Sequence, residues 1–238
     1  MKQKILKGKV MLDKLNDILL SNNVVEQFHN EYVKGDFRNW LLGVLPEVED
    51  CKNLKQDNPW HVYNCLDHIL HSVEAINKQT VDLDNGTKRM LAYTMFLHDI
   101  GKPQCHIRRY SKLYDREVDS FFNHNKAGVK IADRVLDDFE FNKTESSIIK
   151  KLIDMHDIFM FVTLEQDENP HHQVLTNKYI DTQIEELNSV GNGENLLKYL
   201  IMIGRADNLA QNPVMTGDSL HLLDVFDSML DNVLDKEI

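Results

Sequence analysis

Met95-Phe96-Leu97-His98-Asp99-Ile100-Gly101-Lys102-Pro103 is the stretch on which the reading of this chain turns. It closes a strongly apolar run, Thr87 to about His98, expected to be a helix stopped by Gly101 and Pro103. At its end an imidazole and a carboxylate stand side by side, followed by a glycine that frees the backbone and by a lysine. An ionised aspartate at the end of a buried helix is costly unless a cation or a charged group meets it. Imidazole and carboxylate together suit hard or borderline cations such as Mn, Fe, Ni or Zn. A lone His-Asp pair is nevertheless a weak signal, and His156-Asp157 repeats it in this chain.

Outward from this stretch, helical periodicity dominates. Leu12, Leu15, Ile18 and Leu19 form one apolar stripe, and Val24, Val25, Phe28 and Tyr32 a second. A short helix is expected from Asp36 to Leu45, ending before Pro46. These make an N-terminal helical arm, about residues 1–44, ahead of a main domain over 45–238. Cys51 to Pro59 reads as a polar loop and Val62 to Asn77 as a helix. Asn85-Gly86 is expected to break the chain. A loop to about Glu117 should precede a long helix from Asp119 to Phe139, and Thr144 is a plausible N-cap for a helix ending near Met155. After a polar loop, Glu165 to Gln173, come helices over Ile180–Leu187, Glu194–Leu209 and Ser219–Leu234. The fold class is therefore all-α, and ten Gly and five Pro in 238 residues agree with long helices and few turns.

The net charge of -11 limits the partners. Lys150-Lys151 and Arg108-Arg109 are only pairs, so a long nucleic-acid groove is disfavoured, whereas a small anion can still bind where cations reverse the local field. Cys51, Cys65 and Cys105 show no CxxC spacing and read as free thiols. The first twenty residues lack an apolar signal core, and the most apolar stretch, Leu196 to Ile203, is too short to cross a bilayer. A cytoplasmic protein is expected.

Further candidates for chemistry lie along the chain in the order His68, His98-Asp99, His124, His156 and Asp207. This order, with His98-Asp99-Ile100-Gly101-Lys102 at its centre, resembles the HD-domain metal-dependent phosphohydrolase superfamily. Leu45-Pro46-Glu47-Val48, Asn58-Pro59-Trp60-His61-Val62-Tyr63 and Leu66-Asp67-His68 resemble more narrowly the HD domain of bacterial tRNA nucleotidyltransferases (CCA-adding enzymes) and poly(A) polymerases. The likeness spans about Leu45 to Asn212. No Gly-Ser followed by an Asp-x-Asp pair marks a nucleotidyltransferase head, so the HD module is expected to stand alone, without tRNA tailing.

The resemblance implies an HD-type helical bundle and two divalent metal ions, of Mn, Fe, Ni, Mg or Zn. His68, His98, Asp99 and Asp207 would hold the first, and Asp99 would bridge to a second held by His124 and His156. Asp99 and Lys102 would be catalytic, Lys102 neutralising a phosphate oxygen. His106, Arg108 or Arg109 would bind a second phosphate or the leaving group. The implied reaction is hydrolysis of a phosphomonoester or 2′,3′-cyclic phosphodiester of a nucleotide or related small molecule by metal-activated water. A cyclic-dinucleotide phosphodiesterase and a non-catalytic, metal-stabilised binding module are the alternatives.

Other polar residues receive plainer readings. His71 shares a helix face with His68 and is expected to be a core or surface residue. His61 either hydrogen-bonds a metal ligand or caps a helix. His171-His172 reads as solvated, Asp157 as a surface carboxylate at a helix end, and Arg205 as facing either an acidic neighbour or substrate. His29 and His221 receive no functional reading.

Overall fold

The computed structural model describes residues 2–234. It is all-α, with two small two-stranded sheets at the periphery. The stretch expected as an arm holds α1 (Lys2–Leu19), α2 (Val24–Tyr32) and α3 (Asp36–Val44), whose apolar stripes pack on the helices that follow. Leu15, Leu19, Phe28 and Leu41 are fully buried in the same core as Leu66, Phe96 and Leu200. Burying a side chain of this size contributes about 1.5–3 kcal/mol, so the arm's apolar stripes hold it firmly to the bundle.

The bundle is α4 (Glu47–Asn53), α5 (Cys65–Gln79), α6 (Asn85–Leu97), α7 (Lys102–Cys105), α8 (His124–Val135), α9 (Lys143–Met155), α10 (Asn177–Leu187), α11 (Gly193–Leu209) and α12 (Gly217–Leu234). At its centre α5 packs between α6 and α11, while α8 and α9 pair beside α6. Strands β1 (Ile107–Ser111) and β2 (Arg116–Ser120) form an antiparallel hairpin, and β3 (Val162–Thr163) pairs in parallel with β4 (Gln173–Val174).

Several boundaries differ from the sequence expectations, each for a local reason. Helix α4 occupies part of the segment read as loop. Helix α5 starts at Cys65 instead of Val62 because the Asn64 side chain accepts from the Asp67 amide as N-cap. Asn85-Gly86 does not break the chain: Asp84 caps the Gly86 and Thr87 amides, so both residues fall inside the first turn of α6. The helix expected from Asp119 to Phe139 runs only from His124 to Val135. Asn123 takes a left-handed conformation (φ 63°) that no helix passes through, and the residues before it belong to the hairpin. Helix α9 is capped by Asn142, not Thr144. Asn142 and Glu145 form the complete capping box that Thr144 lacked a partner for.

Candidate metal centre

Asp99 lies at the meeting point of five helical elements. Its carboxylate is 2% exposed, which places a negative charge where water does little to stabilise it. His68 comes from the first turn of α5, and His98 from the cap of α6. His124 begins α8, His156 follows α9, and Asp207 comes from the last turn of α11. The structure thus brings the other five residues around the Asp99 carboxylate.

The backbone fixes how each imidazole points. Nδ1–H donates to a carbonyl three residues earlier in His98 (Met95 O, 2.6 Å), His124 (Phe121 O, 2.8 Å) and His156 (Ile153 O, 2.7 Å). In His68 it donates to Ala210 O, 3.2 Å away on the α11 side. Because a carbonyl only accepts, every Nδ1 carries a proton and every Nε2 is turned toward Asp99.

The two oxygens of Asp99 are divided between two imidazole pairs. Oδ2 lies 3.1 Å from His68 Nε2 and 3.3 Å from His98 Nε2; Asp207 Oδ1 is 2.9 Å and 3.7 Å from the same two nitrogens. Oδ1 lies 3.2 Å from His124 Nε2 and 3.8 Å from His156 Nε2. Among the described residues, ligand atoms of His68, His98, Asp99 and Asp207 form one group within 4.8 Å, and those of Asp99, His124 and His156 a second.

This donor set fits two cations. His68 Nε2 and His98 Nε2 are buried with no hydrogen bond, a costly arrangement for two polar atoms unless a cation serves them. His124 Nε2 and His156 Nε2 face each other at 3.1 Å. With both Nδ1 atoms already donating, two lone pairs at that separation require a proton or a metal ion between them. Protons show the same demand for positive charge. Burial works to lower the His98 pKa, but Asp99 and Asp207 prevail and raise it to about 10. His68 and His124 are likewise raised against burial by their carboxylate neighbours. His156 is lowered by burial, with the neighbouring His124 and His98 adding to the effect. Asp99 and Asp207 stay ionised well below the ordinary carboxylate range: burial opposes this, and the surrounding imidazoles, with Lys102 beside Asp99, overcome it.

Lys102, at the start of α7, is buried beside this cluster. Its Nζ forms an ion pair with Asp99 Oδ2 (2.5 Å) and donates to Gln56 Oε1 (2.9 Å) and His61 Nε2 (3.1 Å). His61 lies on the loop before α5 and not on the helix, and its Nδ1–H donates to Asn58 Oδ1 (2.7 Å). Burial, then the Lys102 charge, push its pKa down to about 2, so a neutral ring accepts from the ammonium. His61 takes neither expected role: it bonds the lysine and Asn58 instead of a metal ligand, and its ring lies edge-on to His68. Asn212 fastens this loop by donating its amide to Trp60 O (2.8 Å) and its side chain to Pro59 O (2.9 Å).

Gly101 makes the close assembly possible. A Cβ there would lie 2.3 Å from His124 O and 2.6 Å from the Gly128 amide, both backbone atoms. Only glycine lets the turn after Asp99 touch the start of α8.

The other expected residues are dispersed. His106 Nε2 and Arg108 Nη1 both reach Asp119 Oδ1 (2.8 and 3.1 Å), and Arg108 also pairs with Asp57 (3.1 Å). Arg109, on the same strand, lies over the Phe122 ring at 4.7 Å. Arg205 pairs with Asp224 (2.6 Å), which decides between its two readings in favour of the acidic neighbour. His71 is half-buried and stacked on Tyr63. His172 bonds Asp167 and Asn169 within its own loop. Asp157 corrects the surface reading: Oδ1 lies 3.1 Å from His156 Nε2 and Oδ2 3.4 Å from His124 Nε2, so it faces the centre. Its signal in the sequence was the repeated His-Asp pair at His156-Asp157. Gln56, also missed, carries no motif.

Residues 65–212 match the family model described as HD domain. The chain belongs to the HD domain family. The matched HD domain residues begin at the first residue of α5 and end at Asn212, enclosing His68 through Asp207. No curated protein matches the chain. Among the described residues, no helix of this HD domain protein is long and apolar enough to cross a membrane.

Proposed function

We propose that this HD domain protein is a phosphohydrolase that cleaves a phosphomonoester or 2′,3′-cyclic phosphodiester of a nucleotide or related small molecule, using water activated at two divalent cations. The observation that carries the reading is the division of Asp99, with one oxygen toward His68 and His98 and the other toward His124 and His156. Two bound cations would clamp a phosphoryl group, lower the pKa of a water between them and stabilise charge on the departing oxygen.

The protein's own contribution is orientation and charge. Four backbone carbonyls hold the imidazoles with Nε2 inward, so little ordering remains to be done when substrate arrives. Asp207 neutralises part of the charge on the first pair's side. Lys102 is held in place by Gln56 and His61. With Asp99 Oδ2 given over to a cation, Lys102 would keep its bonds to Gln56 and His61 and have one N–H for a phosphate oxygen, which an ammonium meets as a compact point charge. His106 and Arg108 are engaged by carboxylates, whereas Arg109 has no carboxylate partner among the described residues, which favours it as the group that would meet the rest of the substrate.

The net charge of -11 supports a small substrate over a long polynucleotide. The narrower likeness to HD modules of tRNA nucleotidyltransferases supports nucleotides and their cyclic phosphates. Turnover of nucleoside monophosphates, 2′,3′-cyclic nucleotides and a cyclic dinucleotide, each with Mn, Fe, Ni, Mg and Zn, tests the proposal. Metal-dependent release of phosphate, or opening of the cyclic ester, is expected. Turnover of the cyclic dinucleotide alone would overturn the substrate class, and none with any metal would overturn the enzyme.

A further inference from the structure

The two imidazole pairs differ in what closes them on the side away from Asp99. His68 and His98 have Asp207, while the groups so far assigned to the second pair end with Asp99 itself, leaving two nitrogens and one shared oxygen. Two imidazoles and a shared carboxylate oxygen make a sparse set for a hard divalent ion, which favours more oxygen donors.

Asp157 flanks the second pair as Asp207 flanks the first, but with one oxygen toward each ring instead of one oxygen toward both, and outside the 4.8 Å group of Asp99, His124 and His156. Its oxygens are 3.1 Å from His156 Nε2 and 3.4 Å from His124 Nε2, comparable with the 2.9 and 3.7 Å between Asp207 and the first pair. Its side chain is 21% exposed, against 19% for Asp207, so each carboxylate forms part of the open margin of its half of the centre. Neither His124 nor His156 has a spare Nδ1–H to offer Asp157, since both donate to backbone carbonyls. A carboxylate beside two such Nε2 atoms is therefore placed to share a cation with them.

We infer that Asp157 is the terminal carboxylate ligand of the second ion, making both halves of the centre His2Asp2 with Asp99 common to the two. The inference rests on the two-cation reading above and extends it by one residue. Its consequence is that both ions see nearly the same donors, so neither half selects a different metal from the other.

The test titrates the full chain with Mn2+, using calorimetry and electron paramagnetic resonance, in the wild type, Asp157→Asn and Asp207→Asn. The wild type should take up near two ions and show the spectrum of an exchange-coupled pair. Asp157→Asn should retain one ion at unchanged affinity and lose the coupled spectrum. Its second-site affinity should fall by more than about 100-fold, beyond the 10–100-fold usual for a residue that only orients a ligand. Asp207→Asn should give the mirror result, losing the other ion. Circular dichroism verifies the fold, and Asp157→Ser is read the same way if Asp157→Asn does not fold. A wild type that saturates at one ion overturns the two-cation reading and this inference together. A wild type with two ions and an Asp157→Asn protein whose second-site affinity falls by less than that overturns the inference alone.

Discussion

His68 and His98 meet Asp99 Oδ2 deep between α5 and the end of α6, whereas His124 and His156 meet Oδ1 at two helix termini. The first pair depends on long-range packing: the His68 ring is aimed by Ala210, 142 residues away in the chain. The second pair is aimed by local bonds three residues back; the close approach of Gly101 to α8 brings His124 to Asp99, and the packing of α9 on α6 and α8 brings His156. The carboxylates raise both rings of the first pair, while the second splits, with His124 raised and His156 lowered. One carboxylate thus joins a half tied to α11 through His68 to a half whose His124 depends on a close glycine contact. The two halves should therefore fail separately.

Asp99→Ala is the exception that should break both at once. Metal content is expected to fall toward zero and activity with it, while helical content by circular dichroism stays near wild type. Retention of one tightly bound ion would show that the halves do not share this residue.

Lys102→Ala should spare both halves yet slow turnover, with metal content unchanged by elemental analysis. The expected loss is about 1.5–3 kcal/mol of transition-state stabilisation, the range for a hydrogen bond to a charged group. Loss of metal in its place would assign the lysine to holding Asp99.

Gly101→Ala should separate the halves. A methyl group 2.3 Å from His124 O must push α8 away, an overpacking that costs about 1–3 kcal/mol. Thermal unfolding should show that loss, and metal titration should show the second ion weakened while the first is retained. Equal weakening of both ions would mean that the distortion spreads through Asp99.

The smallest expected effect is in the pH dependence of the chelator-treated protein. His98, raised to about 10, binds its proton more tightly folded than unfolded. Its contribution to stability is full below the unfolded histidine value of ~6.5 and is lost as pH rises toward 10. Asp99 and Asp207 act oppositely: their contribution is present above ~3.9 and is lost only as pH falls through their depressed folded values. Between about pH 6.5 and 10 the melting temperature should decline with rising pH. Metal affinity should climb over the same range, because an imidazolium must shed its proton to bind. A melting temperature that rises with pH without metal would contradict the charge states assigned to the first pair.

What could be read from the sequence follows the same division. Apolar stripes such as Leu12, Leu15 and Leu19 announce helices because one face of each is buried, and the order of His68, His98, Asp99, His124, His156 and Asp207 survives in a linear text. The hairpin escaped because most of its side chains are exposed and show little alternation. Asn123 hid the true start of α8, since a left-handed asparagine looks like any polar residue. Gln56 escaped because its role is created by a neighbour distant in sequence, as is the pairing of Arg108 with Asp57 and Asp119, while Asp157 escaped because a His-Asp pair alone is a weak signal.

The bond from His68 to Ala210 has a kinetic side. A contact spanning so much of the chain closes late, after the loop entropy of everything between has been overcome. Interactions formed after the folding barrier leave the refolding rate alone and act on the unfolding rate. A cation held in part by His68 would thus work as a latch, with no part in guiding the chain to its fold and its whole effect on how long the fold lasts.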